Sequence, residues 1–368
     1  MRRKVPSRRS CGRAFALGLV LGCDPDPEVS IHSDLKGDLC LGSVAGIEAH
    51  VSMVAGHFGH TLTRPIVVLL TDEPEVECGR PVGGCTKHTD PEQWTAVGLP
   101  SAIDHELSHA VAADLLDRRR PPPGIREGFA TAFSWWGSAL GGYTLAGVLE
   151  PGSPEDVDYK AAGHVLRWVD TAFGADRLKA VMKAVGDDDD VDARARAFAR
   201  ALDADIDELQ RRFWAEAPLY ASGPGRCPEA VAAALDSRAQ VSFEVVLACD
   251  DASTRGPVDV ARLWHPLLAA RTIEVRETGR YRVSADAGLW GILPCYATHS
   301  PAVAQRWGAM DALVAEEGLG WLFSAEDRSI AHVLDPGLYA LWFAAEGAGP
   351  RTISVVVEAD WRGRVALP

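Results

Sequence analysis

Ser101-Ala102-Ile103-Asp104-His105-Glu106-Leu107-Ser108-His109-Ala110-Val111-Ala112-Ala113-Asp114-Leu115 is the stretch from which the rest of the chain is read. Ile103, Leu107, Ala110, Val111 and Leu115 recur at helical spacing, so the segment is expected to be a helix with one buried face. Ser101 followed by Asp104 reads as a capping box at its start. Its end is expected at Arg118-Arg119-Arg120, where cations complement the helix dipole and Pro121-Pro122-Pro123 cannot continue the turn. On such a helix His105 and His109 share a face, about 6 Å apart along the axis. Both rings can then reach one zinc ion at about 2.0–2.1 Å. Glu106 points about 100° round from His105. That leaves its carboxylate beside the metal, free to take a proton from a water at the fourth position.

A second helix is expected after Gly124, through Ile125-Arg126-Glu127-Gly128-Phe129-Ala130-Thr131-Ala132-Phe133. Residues 110–126 separate Glu127 from His109, and two antiparallel helices with a short loop can return Glu127 to the metal as a third ligand. His105-Glu106-x-x-His109 followed by Arg126-Glu127-Gly128-Phe129-Ala130 resembles the gluzincin metallopeptidases, in which a glutamate on the following helix completes a His-His-Glu zinc site. The resemblance covers roughly residues 40–220, since the helix through Tyr159-Lys160-Ala161-Ala162-Gly163-His164 is similar to the helical half of such domains. The gap to Glu127 departs from the longer one of the thermolysin branch. The resemblance implies zinc as cofactor, His105, His109 and Glu127 as ligands, Glu106 as general base and acid, and a peptide or protein as substrate. It also implies that an edge strand within residues 85–97 holds the substrate backbone. Tyr159, His164 and Tyr143 are the candidates for stabilising the oxyanion, and Asp104 and Asp114 for orienting the ligand imidazoles.

The beginning of the chain carries an address. Arg2, Arg3, Lys4, Arg8, Arg9 and Arg13 precede a short apolar run over residues 14–22, too short to span a bilayer but suited to a signal-peptide core. Val20-Leu21-Gly22-Cys23 resembles a bacterial lipobox, which implies that residues 1–22 are removed and that Cys23 is lipidated, anchoring an exported protein to a membrane. Removing residues 1–22 takes six positive and no negative charges from a chain of net charge −14, leaving −20 and arguing against nucleic acid as a partner. Residues 23–38 read as a tether. Cys40, Cys78, Cys85, Cys227, Cys249 and Cys295 remain, an even number that in an exported chain implies disulfides. Cys78–Cys85 is the favoured pair and Cys249–Cys295 a second, leaving Cys40 and Cys227.

A fold of class α+β is expected: a mostly helical zincin-like domain with a small N-terminal sheet (residues 39–220), a linker at 221–227 and an all-β sandwich at 228–368. Residues 44–58 read as a helix ended by Gly59, on or near which His50, His57 and His60 are surface or packing residues. Ile66-Val67-Val68-Leu69-Leu70 reads as a buried strand and residues 94–97 as another. Further helices are expected over 159–173, 175–185, 191–203 and 205–216, with Asp187–190 a solvated loop and dipole cap. Residues 241–248, 272–276, 281–285, 331–334, 338–343 and 352–358 read as strands. Trp290, Trp307, Trp321 and Trp342 are expected in the core. A rival reading keeps the chain as a non-catalytic, zinc-containing surface lipoprotein whose β domain binds a protein or polysaccharide. The presence of Glu106 favours catalysis, because a structural site needs no general base.

Overall fold

The computed structural model describes residues 3–5, 29–35, 39–134, 144–187, 189–217, 231–236, 240–256, 267–294, 329–345 and 350–359. The first half opens with β1 (Arg3–Val5), β2 (Val29–Ser33), α1 (Leu41–His57), β3 (Ile66–Leu70), α2 (Pro74–Cys78), β4 (Gly84–Asp90) and β5 (Gln93–Gly98). The strands form one sheet in the order β1-β2-β3-β5-β4. β2, β3 and β5 run parallel, while β4 returns antiparallel on β5 at one edge and β1 pairs antiparallel with β2 at the other. β1 lies inside the segment read as a signal sequence. Residues 29–33, read as tether, are a strand instead, because Val29 and Ile31 alternate with Ser30 and His32 and bury their side chains beside β3.

Helices then cover this sheet and extend beyond it: α3 (Ile103–Leu115), α4 (Pro123–Phe133), α5 (Leu145–Leu149), α6 (Tyr159–Phe173), α7 (Ala175–Ala184), α8 (Val191–Ala201) and α9 (Ile206–Glu216). Ile47, Val51, Val54, Val68, Leu107, Val111, Phe129, Phe133, Leu166 and Phe213 meet in a single core. The capping box at Ser101 does not form; Ala102 is the N-cap and no side chain bonds there. α3 also stops at Leu115, before the arginines, because Asp117 and Arg118 take left-handed backbone angles (φ 48° and 67°) that turn the chain toward α4. α4 begins at Pro123, whose fixed φ suits a first helical position. Asp190 caps α8, its side chain accepting from the Ala193 amide.

The described residues of the second half are all β: β6 (Val231–Leu235), β7 (Gln240–Leu247), β8 (Thr254–Arg255), β9 (Leu267–Val275), β10 (Gly279–Ala285), β11 (Leu289–Pro294), β12 (Ser329–Leu334), β13 (Gly337–Ala345) and β14 (Arg351–Ala359). One sheet runs β12-β10-β14-β7, the other β11-β13-β9-β6 with β8 paired to β9. Val245, Val283 and Val355 of the first sheet and Ile273, Leu341 and Phe343 of the second share one core, as expected of a sandwich. Trp290 and Trp342 are buried in it; Trp307 and Trp321, like the 221–227 linker, lie outside the described residues. The molecule is therefore an α+β chain of two unlike halves. Among the described residues no helix is long and apolar enough to cross a membrane.

The halves are joined at the start of α1. Cys40 pairs with Cys249, overturning the expected Cys249–Cys295 pair. The Cys40 amide donates to the Gly256 carbonyl (2.9 Å), the Leu41 amide to the Cys249 carbonyl (3.0 Å), and the Ser43 hydroxyl exchanges bonds with Gly256. A side chain on Gly42 would meet the Thr254 carbonyl oxygen at 2.3 Å, so only glycine lets α1 seat this closely on β8. Cys227 and Cys295 lie outside the described residues. The Cys78–Cys85 pair forms as expected.

Candidate metal site

α3 packs over β4 and β5, and its His105–His109 face turns to the first part of α4. His105 Nε2 and His109 Nε2 are 3.1 Å apart, and Glu127 Oε2 lies 3.2 Å from the first and 2.9 Å from the second. His105 and Glu127 are buried, His109 partly so. Tetrahedral ligands bonded at about 2.1 Å stand about 3.4 Å apart, so the three atoms lie close to the corners that a zinc site requires. Two imidazoles and one carboxylate are a donor set able to hold a metal ion such as zinc. These three residues form the one His/Cys/Asp/Glu group able to hold a metal ion among the described residues. The fit is good. One support is missing: His109 Nδ1 is buried with no hydrogen-bond partner among the described residues, where a ligating imidazole usually has an acceptor behind it.

Burial opposes a charge on Glu127, but His109 and His105, by charge and by hydrogen bond, outweigh it and hold the carboxyl far below its usual range. Glu106 is in the opposite condition. Burial dominates there, only partly offset by His105 and by the Thr86 hydroxyl, and lifts its carboxyl to about 7. Thr86 Oγ1 lies 3.0 Å from Glu106 Oε2 and 2.7 Å from the Glu106 carbonyl oxygen. Gly84, two residues earlier on β4, leaves room for the carboxylate stem: a Cβ there would stand 2.8 Å from Glu106 Cγ and 2.7 Å from the Val97 carbonyl oxygen. Residues 85–97 thus form a hairpin whose outer strand, β4, is the sheet edge under Glu106.

The remaining candidates separate. Tyr159 opens α6, with its ring 5.8 Å from that of His105 and 41% of its surface exposed. Burial of its hydroxyl, and the carboxyls of Glu127 and Glu106, push it up to about 12. His164, five residues on and about 140° round the helix, is buried against Phe213 of α9, 4.9 Å between ring centres, and is not brought to the site. Tyr143 and Cys23 lie outside the described residues. Asp114 does not orient a ligand imidazole: its carboxylate takes bonds from the Thr63 amide and hydroxyl, Arg64 and Trp94 and lies 3.0 Å from His60 Nε2, tying the far end of α3 to the loop before β3. Asp104 lies 3.8 Å from His50 Nδ1.

His50 and His57, expected as surface or packing residues, are tied into polar contacts: His50 Nε2 lies 2.9 Å from Ser108 Oγ, behind the metal helix, and His57 Nε2 2.7 Å from Asp170 Oδ1. Thr86, Gly84 and His50 are the residues that spacing alone did not find. Only the alternation of β4 places Thr86 on the face of α3, and that requires the strand to be known.

No family model and no curated protein matches this chain. Among solved structures, the pre-peptidase C-terminal domain of a collagenase from Bacillus anthracis is similar to it over 36% of this chain and 100% of that domain, at 13% identity and a TM-score of 0.19. So slight a likeness assigns neither fold nor activity.

Proposed function

We propose that the chain is a zinc-dependent metallopeptidase of gluzincin type, with a zincin-like first half, exported and anchored by lipid at Cys23. The observation that carries this reading is the convergence of His105, His109 and Glu127 beside a buried, hydrogen-bonded Glu106. Held by His105, His109 and Glu127, a zinc ion would supply Lewis acidity, to polarise the scissile carbonyl and acidify a water. Glu106 would take a proton from the attacking water and pass it to the departing amine, acting in turn as general base and acid. Thr86 steers the exchange. Its one proton bonds the carboxylate while Glu106 is charged, and turns to the Glu106 carbonyl when Glu106 is protonated and can itself donate. Tyr159, held in its protonated form, offers its O–H to the oxygen of the tetrahedral species. β4, the outer strand of its sheet among the described residues, can pair with the backbone of an extended peptide.

The test is zinc content measured beside peptide cleavage. About one zinc per chain is expected, lost or weakened in Glu127→Ala. Glu106→Gln should keep the metal and abolish cleavage. Absence of zinc from the unaltered chain, or undiminished cleavage by Glu106→Gln, would sink the proposal.

A further inference from the structure

Two arginines flank the site. Arg80 belongs to the short loop closed by Cys78–Cys85, which runs into Gly84 and so abuts Glu106. Its guanidinium crosses to Glu155, 2.7 Å away in the 3₁₀ turn Pro154–Asp156 that leads into Tyr159. Arg126 precedes Glu127 on α4, and its Nε stands 3.3 Å from Glu127 Oε1. Arg80 thus bridges the loop beside Glu106 and the turn before Tyr159, and Arg126 stands beside Glu127. This is unexpected in a chain of net charge −14. The Arg80–Glu155 pair is also loosely held, with 49% and 66% of the two side chains exposed, and an exposed pair of this kind exchanges partners at little cost. If Glu155 lets go, the Arg80 guanidinium can take another carboxylate at the same place.

We propose that Arg80, backed by Arg126, is a specificity subsite that takes a carboxylate of the substrate in place of Glu155, selecting peptides that carry acidic groups near the bond to be cut. The inference rests on reading the site as a peptide-cleaving centre and names its substrate class. The carboxylate comes either from an Asp or Glu side chain or from the peptide's own C-terminus. A guanidinium suits both, because its paired N–H groups match the two oxygens.

The experiment uses the full, zinc-loaded chain carrying Glu106→Gln, so that peptide is held and not cut. Calorimetry compares three sets of acetylated alanine-based heptapeptides: amidated with Glu scanned through the positions, amidated with Gln scanned likewise, and the Gln set with a free C-terminal carboxylate. At least one carboxylate-bearing set should bind about tenfold more tightly than the neutral set, and which one does so identifies the source. The difference should collapse in Arg80→Ala, survive in part in Arg80→Lys, and shrink as salt is raised. Arg80 is exposed, so these variants leave the fold intact. Equal affinities, no binding at all, or a difference untouched by Arg80→Ala overturns the subsite. Cleavage by the unaltered chain is read separately: cutting with equal affinities removes the subsite alone, whereas a carboxylate preference without cutting removes the peptidase reading and leaves an anion site.

Discussion

Two carboxylates, Glu127 in contact with His105 and Glu106 next to it in the chain, show how a residue's surroundings decide its work. Glu127 meets two imidazoles and stays charged; Glu106, one residue from His105, is lifted to about 7 because burial outweighs its few donors. Thr86 is the side-chain donor that remains to it, so Thr86→Val should lower kcat about tenfold or more, with zinc content and KM little changed. An unaltered kcat would show that Glu106 is oriented by something else. Asp114 is the second instructive residue. Burial works to raise it, but bonds from the Thr63 amide and hydroxyl, His60 and Trp94 hold it below the usual carboxylate range. A carboxyl depressed in the folded state adds stability above its unfolded value, near 4, and loses it as pH falls through the lower folded value. Asp114→Asn should therefore cost about 2–4 kcal/mol at neutral pH, and less in acid. Denaturant melts at pH 7 and pH 3 would read this; the same loss at both would show that the charge is immaterial.

Among the elements, α3 and α4 place the ligands, but α6 places Tyr159, and α6 reaches α4 through two glycines. A Cβ on Gly128 would stand 2.7 Å from the Ala162 carbonyl oxygen, and one on Gly163 would stand 2.5 Å from Thr131 Cγ2. The obstacles differ in kind: backbone faces Gly128, whereas the Thr131 side chain faces Gly163, and an alanine there would remove its nearest atom. Gly163→Ala should cost about 1–3 kcal/mol and be partly rescued by Thr131→Ala in the double variant, because Thr131 Cβ, 2.9 Å from the added carbon, remains. Gly128→Ala should be at least as costly and gain nothing from that second change. Thermal melts of the four proteins decide it, and absence of rescue would mean that the helices part by some other route. What was legible here followed local physics. The run Ile66–Leu70 and the spacing of His105, Glu106, His109 and Glu127 declare themselves, because strand burial and helical register act over a few residues. β2 was hidden because its alternation is short and follows a stretch rich in Asp and Pro. The cap of α3 was misread because a side chain of the right type at the right spacing need not bond when the backbone turns differently at Ala102.

Across the whole molecule, the sandwich and the metal-site half are joined by contacts that no local pattern announces. Cys40 and Cys249 are 209 positions apart, and the expected second pair joined Cys249 to Cys295, within the β half. The actual bond fixes the first turn of α1 on β8. Farther along α1, His50 braces Ser108 on the helix that carries both imidazoles. The sandwich is thus coupled through one helix to the back of the metal site. Closing so long a loop stabilises a folded chain by about 2–5 kcal/mol. Cys40→Ala with Cys249→Ala, which spares Cys78–Cys85, should lower overall stability by that order and divide the melting profile into two transitions. The transition of the first half should move upward when zinc is added, since a ligand bound only to the folded form stabilises it, while that of the sandwich should not. If α1 transmits the constraint, zinc affinity should also fall when the pair is removed. A single transition that shifts with zinc as in the unaltered chain would mean that the non-covalent bonds of Cys40, Leu41 and Ser43 hold the halves together without the disulfide.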